Sequence, residues 1–164
     1  MGLPSELQSA LLGRRVVFLR GHLDDAAANS VIAQLLLISR TASGQPSEWY
    51  VDSPGGALAA ALSVYDVVQT LATRVSTTCI GTVGGASVLV LAGGQSGLRF
   101  ALPHARIQLM QAAIEIPVGR PTQARAQADE AVRLQQRWQA ALAEARRRAG
   151  LQLAPDLSAT GEAA

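Results

Sequence analysis

The chain contains no lysine; all 14 of its basic residues are arginine. That absence excludes every chemistry built on a lysine amine, from a Schiff base to a Ser–Lys dyad. Cysteine is nearly absent too. Cys79 is the only one, so no intrachain disulfide can form, and its place in an apolar, β-branched run reads as a core thiol. No apolar leader preceded by positive charge opens the chain, and the apolar runs are too short or too interrupted by glycine to cross a bilayer. A soluble, cytoplasmic protein is the expectation. Neither sign of charge prevails: the formal net charge is +2, which implies no nucleic-acid partner. Zinc, P-loop and dinucleotide fingerprints are missing, so no cofactor and no metal are expected.

What is present fits a globular α/β domain. At 164 residues the chain suffices for one domain. Such a domain buries roughly two-thirds of its unfolded surface. Short apolar segments alternate with helical patterns. Strands are expected over 15–19, 48–51, 74–80, 98–101 and 106–110. Helices are expected after Asp24-Asp25, over 57–70 and over 86–92. Strands alternating with helices argue for a parallel sheet. The last element differs. Residues 122–149 read as one helix of roughly 42 Å, with Thr122 as its N-cap and Gly150 as its stop. Ala124, Ala128, Ala131, Leu134, Trp138, Leu142, Ala145 and Ala149 form a narrow stripe, while Arg125, Asp129, Arg133 and Gln136 lie off it. So long a helix outruns so small a domain, and its far part is expected to meet another chain.

One layout occurs twice. Trp49-Tyr50-Val51-Asp52-Ser53-Pro54-Gly55-Gly56-Ala57-Leu58 reads as strand, glycine turn and helix start, and so does the segment from Thr77 through Gly84-Gly85-Ala86-Ser87 to Leu89. This pair of units resembles the proteolytic subunit of the Clp protease, ClpP. Other segments carry the same resemblance: residues 11–21, Ala33-Gln34-Leu35-Leu36 within the first long helix, and Gly97-Leu98-Arg99-Phe100-Ala101-Leu102-Pro103 with Arg106, which looks like the hairpin before the family's histidine. The match fades after Gly150. The resemblance implies a ClpP/crotonase-like fold of repeated strand–turn–helix units with a protruding handle helix. Residues 1–153 would form the domain, with the strand and helix of the handle at about 110–150, and 154–164 a small, polar, disordered tail.

The same resemblance places the family's catalytic columns. Its serine column is Gly85, which has no side chain to attack with. Its histidine column is Met110, whose thioether accepts no proton at neutral pH. Its aspartate column falls near Ala163 or beyond; Asp156 and Glu162 are close in sequence, but Glu162 in a tail would orient a base poorly. No catalytic residue is therefore expected. The family's oxyanion donors are backbone N–H groups, matching Gly56 and Ala86, and any residue supplies those. Replacements were weighed. Ser87 lies two residues past the serine column and roughly 200° around a helix, so a Ser87–His104 pair is disfavoured. Ser53 reads as a local hydrogen-bonding residue. His22 with Asp24 and Asp25 is unspecific as a metal site and reads as a solvated helix start.

The implied function is architectural: a pseudoprotease subunit, like those called ClpR, that mixes with active ClpP-type subunits in a barrel. The family's partner is a ring-shaped Clp ATPase. Trp49 and Tyr50 lie in the strand whose counterpart lines its docking cleft, although two aromatics on a strand also suit a core. Little sequence precedes the first matching helix, and the family's terminal helix and strands are not matched, so part of the docking apparatus is expected to be missing. Two rivals stay open. One is a self-assembling oligomer with no active partner. The other is a crotonase-like enzyme acting on acyl-CoA, for which Glu115 is the one carboxylate near the cleft by sequence.

Overall fold

The computed structural model describes residues 4–40, 44–110 and 121–148. Expectations placed on Glu115, Ala149, Gly150, Asp156, Glu162, Ala163 and the tail 154–164 lie outside the described residues, as do those on the side chains of Thr122 and Ala124.

In chain order the elements are α1 (Ser5–Gly13), β1 (Val16–Arg20), α2 (Asp25–Ser39), β2 (Ser47–Ser53), α3 (Leu58–Thr70) and β3 (Val75–Gly84). A 3-10 turn (Gly85–Ser87) then leads into α4 (Val88–Ala92), followed by β4 (Arg99–Ala101), β5 (Arg106–Gln108) and α5 (Pro121–Arg148). The strands form one five-stranded sheet in the order β1-β2-β3-β4, with β5 also paired to β3. Every pairing is parallel, as alternating strands and helices require.

Local chemistry sets the boundaries. Asp24 caps α2, its carboxylate accepting from the Ala27 N–H at 2.8 Å. Asp25 adds negative charge to the same first turn. The His22, Asp24, Asp25 group is thus a helix start. The strands alternate by face. Val17, Leu19, Trp49, Val51, Thr77 and Cys79 are buried with Leu35, Val64 and Leu89 of the helices. Full burial of each large apolar side chain stabilises the fold by about 1.5–3 kcal/mol. The opposite face is open, and one cross-strand row runs Phe18, Tyr50, Thr78, Phe100. Phe18 and Tyr50 stack with ring centroids 5.2 Å apart, and Phe100 is exposed. The two aromatics of β2 therefore divide: Trp49 belongs to the core and Tyr50 to the open face.

The structure corrects the expected elements in three places. First, β3 does not stop at residue 80 but runs to Gly84. Its glycine-rich end finds partners on both sides: the Thr82 N–H donates to Asp52 Oδ1 at 3.0 Å, and β5 pairs with Thr82, Val83 and Gly84. The register shifts here, Val51 facing Cys79 but Ser53 facing Val83, so β3 bulges and bends. Second, β4 and β5 are no hairpin. Both run parallel to β3 and follow one another along its edge, joined by a turn in which Ala105 N–H donates to Leu102 O. Pro103 has no N–H to continue the ladder, so β4 ends before it and the chain resumes as β5. β5 itself ends at Gln108, short of Met110. Third, the helix expected over 86–92 opens as the 3-10 turn and becomes α-helical only at Val88.

α5 extends over 28 residues. Its second half packs on α3 and α4, burying Gln135, Trp138 and Ala145, while Arg125, Ala126, Asp129 and Glu130 near its start are exposed. Of the expected stripe, Trp138 and Ala145 are buried and Ala128, Ala131, Leu134 and Leu142 half-buried. Gln135 is an addition to it, a buried amide without a hydrogen-bond partner among the described residues.

Candidate functional site

The two glycine turns come together at the carboxyl ends of β2 and β3. The first leaves β2 through Ser53-Pro54-Gly55-Gly56. Leu23 clasps it on both sides: its N–H donates to Gly55 O at 2.9 Å and its carbonyl accepts from Ala57 N–H at 2.8 Å. The backbone of Leu23 lies where a Cβ on residue 56 would sit, so only glycine fits there. The second turn lies against the first. A Cβ on residue 55 would touch the Gly84–Gly85 backbone, and one on residue 84 would press on the Pro54 carbonyl. Gln108 of β5 pairs with Gly84, and its side-chain carbonyl lies where it would touch a Cβ on that residue.

Gly85 itself is buried and has a φ of +48°, in the left-handed region that glycine adopts without cost. Ala86 and Ser87 follow it into the helix, both fully buried. Ser87 does not face the turn's opening. Its hydroxyl meets that of Ser53 at 2.7 Å, and Ser53 Oγ donates to Gly55 O at 3.1 Å. With the Ser53 proton given to Gly55, Ser87 is the donor of the pair, and its single proton is used internally. His104 is exposed in the turn between β4 and β5, so the structure does not bring it to Ser87. Met110 is also exposed, two residues beyond the end of β5.

The remaining reactive groups near the turns are quiet. Cys79 is buried, and burial pushes its thiol above the ordinary range; a backbone hydrogen bond from Gly81, which pulls the other way, and the nearby Asp52 charge are smaller influences. The Asp52 carboxylate is engaged by Thr82 N–H and, at 3.4 Å, by Arg20. Among the described residues, no three His, Cys, Asp or Glu side chains gather as metal ligands would. What the site offers is backbone: the segments bearing the Gly56 and Ala86 N–H groups, held side by side on a rigid base.

That base includes the long helix. Trp138 Nε1 donates to Ala86 O at 3.1 Å in the interior. Sequence reasoning placed Trp138 on the buried stripe of α5 but gave no sign of its target. It also missed the Ser53–Ser87 bond and the role of Asp52 in holding the end of β3. The repeated layout was the available signal, because two turns of the same kind on neighbouring parallel strands must lie side by side.

The Clp protease family model matches residues 4–159. The chain belongs to the Clp protease family. It is 39% identical, over 154 residues, to a protein of Streptomyces coelicolor described as an ATP-dependent Clp protease proteolytic subunit-like protein; the alignment covers 93% of this chain and 73% of that relative. The α/β fold with its parallel sheet is the one expected for a Clp protease subunit. Among the described residues no helix is long and apolar enough to cross a membrane.

Proposed function

We propose that this Clp protease family member is a pseudoprotease subunit with an architectural or regulatory role in a Clp-type barrel. The observation that carries the reading is Gly85. It stands where the resemblance puts the family's serine, at the turn between β3 and the following helix, and its left-handed backbone suits glycine rather than a residue with a side chain. Met110, in the histidine column, supplies no base. Serine hydrolysis needs both a nucleophile and a base within hydrogen-bond reach. The backbone donors of Gly56 and Ala86 remain as an oxyanion-like pair, and alone they cleave nothing. No cofactor enters this reading.

The partners are ClpP-type subunits, met through α5. The exposed first half of α5 supports this, as do Ile107, Leu109 and Met110, apolar and about half exposed at the strand leading toward it. The open sheet face with Tyr50, Phe100 and Leu102 is the surface a Clp ATPase would meet, and a cytoplasmic setting follows from such partners.

The test is the mass of the purified protein, alone and mixed with a co-encoded intact ClpP subunit, with peptidase activity of each sample. The expected result is a mixed oligomer of altered activity, with no turnover and no fluorophosphonate labelling by this chain alone. A uniform ring indifferent to the active subunit would replace the reading with an independent structural role. Hydrolysis by the pure chain would overturn it.

A further inference from the structure

At the opposite end of β3 from the glycine turns lies a pocket of about 330 Å³, lined by Gln69, Arg74, Gly94, Gln95, Arg99 and Arg148 among others. No aspartate or glutamate lines it among the described residues. Arg99 is the central group. Its guanidinium is half-buried, and burial lowers its pKa, with the neighbouring Tyr65 opposing that shift. It is held in place by the Gly94 and Ala145 carbonyls at 2.6 and 3.1 Å. Those neutral acceptors fix the fork without cancelling its charge. Neither Arg99 nor the exposed Arg74 has a carboxylate partner among the described residues. Arg148 is oriented by Glu144, at 3.1 Å from its Nε, and by the side-chain carbonyl of Gln69. Three acceptors of the lining are committed: Gly94 O to Arg99, Gly93 O to the Gln69 amide, and Gln69 Oε1 to Arg148. The lining is left rich in donors, with more positive charge than Glu144 offsets. A partly desolvated guanidinium without a counter-charge is costly, and a planar oxyanion matched to its fork relieves that cost.

We propose that this pocket binds an oxyanion, a phosphate or carboxylate group, through Arg99, Arg74 and Arg148. Two sources carry that chemistry. One is a free anion. The other is the chain itself, because residues 149–164 follow directly on Arg148 and contain Asp156 and Glu162 but no basic residue.

The test is calorimetric titration of the full chain with inorganic phosphate at low ionic strength. Saturable binding is expected, weakened about tenfold or more by Arg74→Gln and by Arg148→Gln. Arg133→Gln, at an exposed position of α5 away from the pocket, should leave it unchanged. Arg74 is exposed, so its variant keeps the test valid if Arg99→Gln fails to fold. Binding that appears only in D156N/E162Q, and is again lost with Arg74→Gln, would identify the chain's own carboxylates as the occupant and support the site. Binding indifferent to Arg74 and Arg148, or no binding by either the native chain or D156N/E162Q, would overturn it.

Discussion

Trp138 and Ala86 are joined by a buried hydrogen bond of 3.1 Å that spans 52 residues of sequence. The indole of α5 thereby fastens the residue next to Gly85. Trp138 is 5% exposed and Ala86 fully buried, so water cannot stand in for the indole N–H. The contact ties the second half of the long helix to the second glycine turn.

Trp138→Phe keeps most of the ring and removes the donor. The Ala86 carbonyl then loses its side-chain donor while the Val88 N–H still reaches it, which should cost about 0.5–1.5 kcal/mol. Trp138→Ala adds a cavity and should cost about 3–5 kcal/mol. Urea denaturation of both variants checks the order. Equal stability of Trp138→Phe and the native chain would show that the bond contributes nothing.

Gly85→Ser restores a hydroxyl at the turn but not a protease. A side chain at a φ of +48° is strained by about 1–2 kcal/mol, so the variant should melt earlier. It should also stay unlabelled by a fluorophosphonate, because Met110 offers no base to take the serine proton. Labelling of Gly85→Ser at the rate of an intact ClpP subunit would mean that another group serves as base.

The Ser53–Ser87 pair is a structural tie between β2 and the turn after β3. Ser87→Ala leaves Ser53 bonded to Gly55 and should cost about 1 kcal/mol. A double-mutant cycle with Ser53→Ala should return a coupling of about 0.5 kcal/mol or more, as expected for residues in contact. Additive losses would show that the two hydroxyls act separately.

Much of the sheet was legible because its strands are written in β-branched and aromatic residues at period two, as in Val16-Val17-Phe18-Leu19. The end of β3 was not. Gly81-Thr82-Val83-Gly84 reads locally as a turn, and it is a strand only because Asp52 and β5, distant in sequence, supply its hydrogen-bond partners. β4 and β5 misread for a related reason. Two short apolar segments around a Leu-Pro turn suggest a hairpin, and nothing local reveals that both pair with β3 instead. At the site, Gly55, Gly56, Gly84 and Gly85 were visible as turn residues. That Ser87 bonds Ser53, and Trp138 bonds Ala86, depends on packing that no spacing rule encodes.

Tyr65 gives a prediction in pH. Its hydroxyl is buried and unpartnered among the described residues. Burial is the main cause of its raised pKa; Glu144 and Asp66 raise it further, while Arg148 and Arg99 oppose them. A phenol whose pKa is higher folded than unfolded stabilises the fold fully below the unfolded value of about 10, and that contribution is lost as pH rises through the folded value. The native chain should therefore lose stability more steeply than Tyr65→Phe above about pH 10. Below that range the variant should match or exceed the native chain by up to about 1 kcal/mol, since it removes a buried group that makes no bond. Urea midpoints measured from neutral to alkaline pH decide the matter. Parallel curves for the two proteins would show that Tyr65 does not ionise on unfolding in this range, or that its hydroxyl has found a partner.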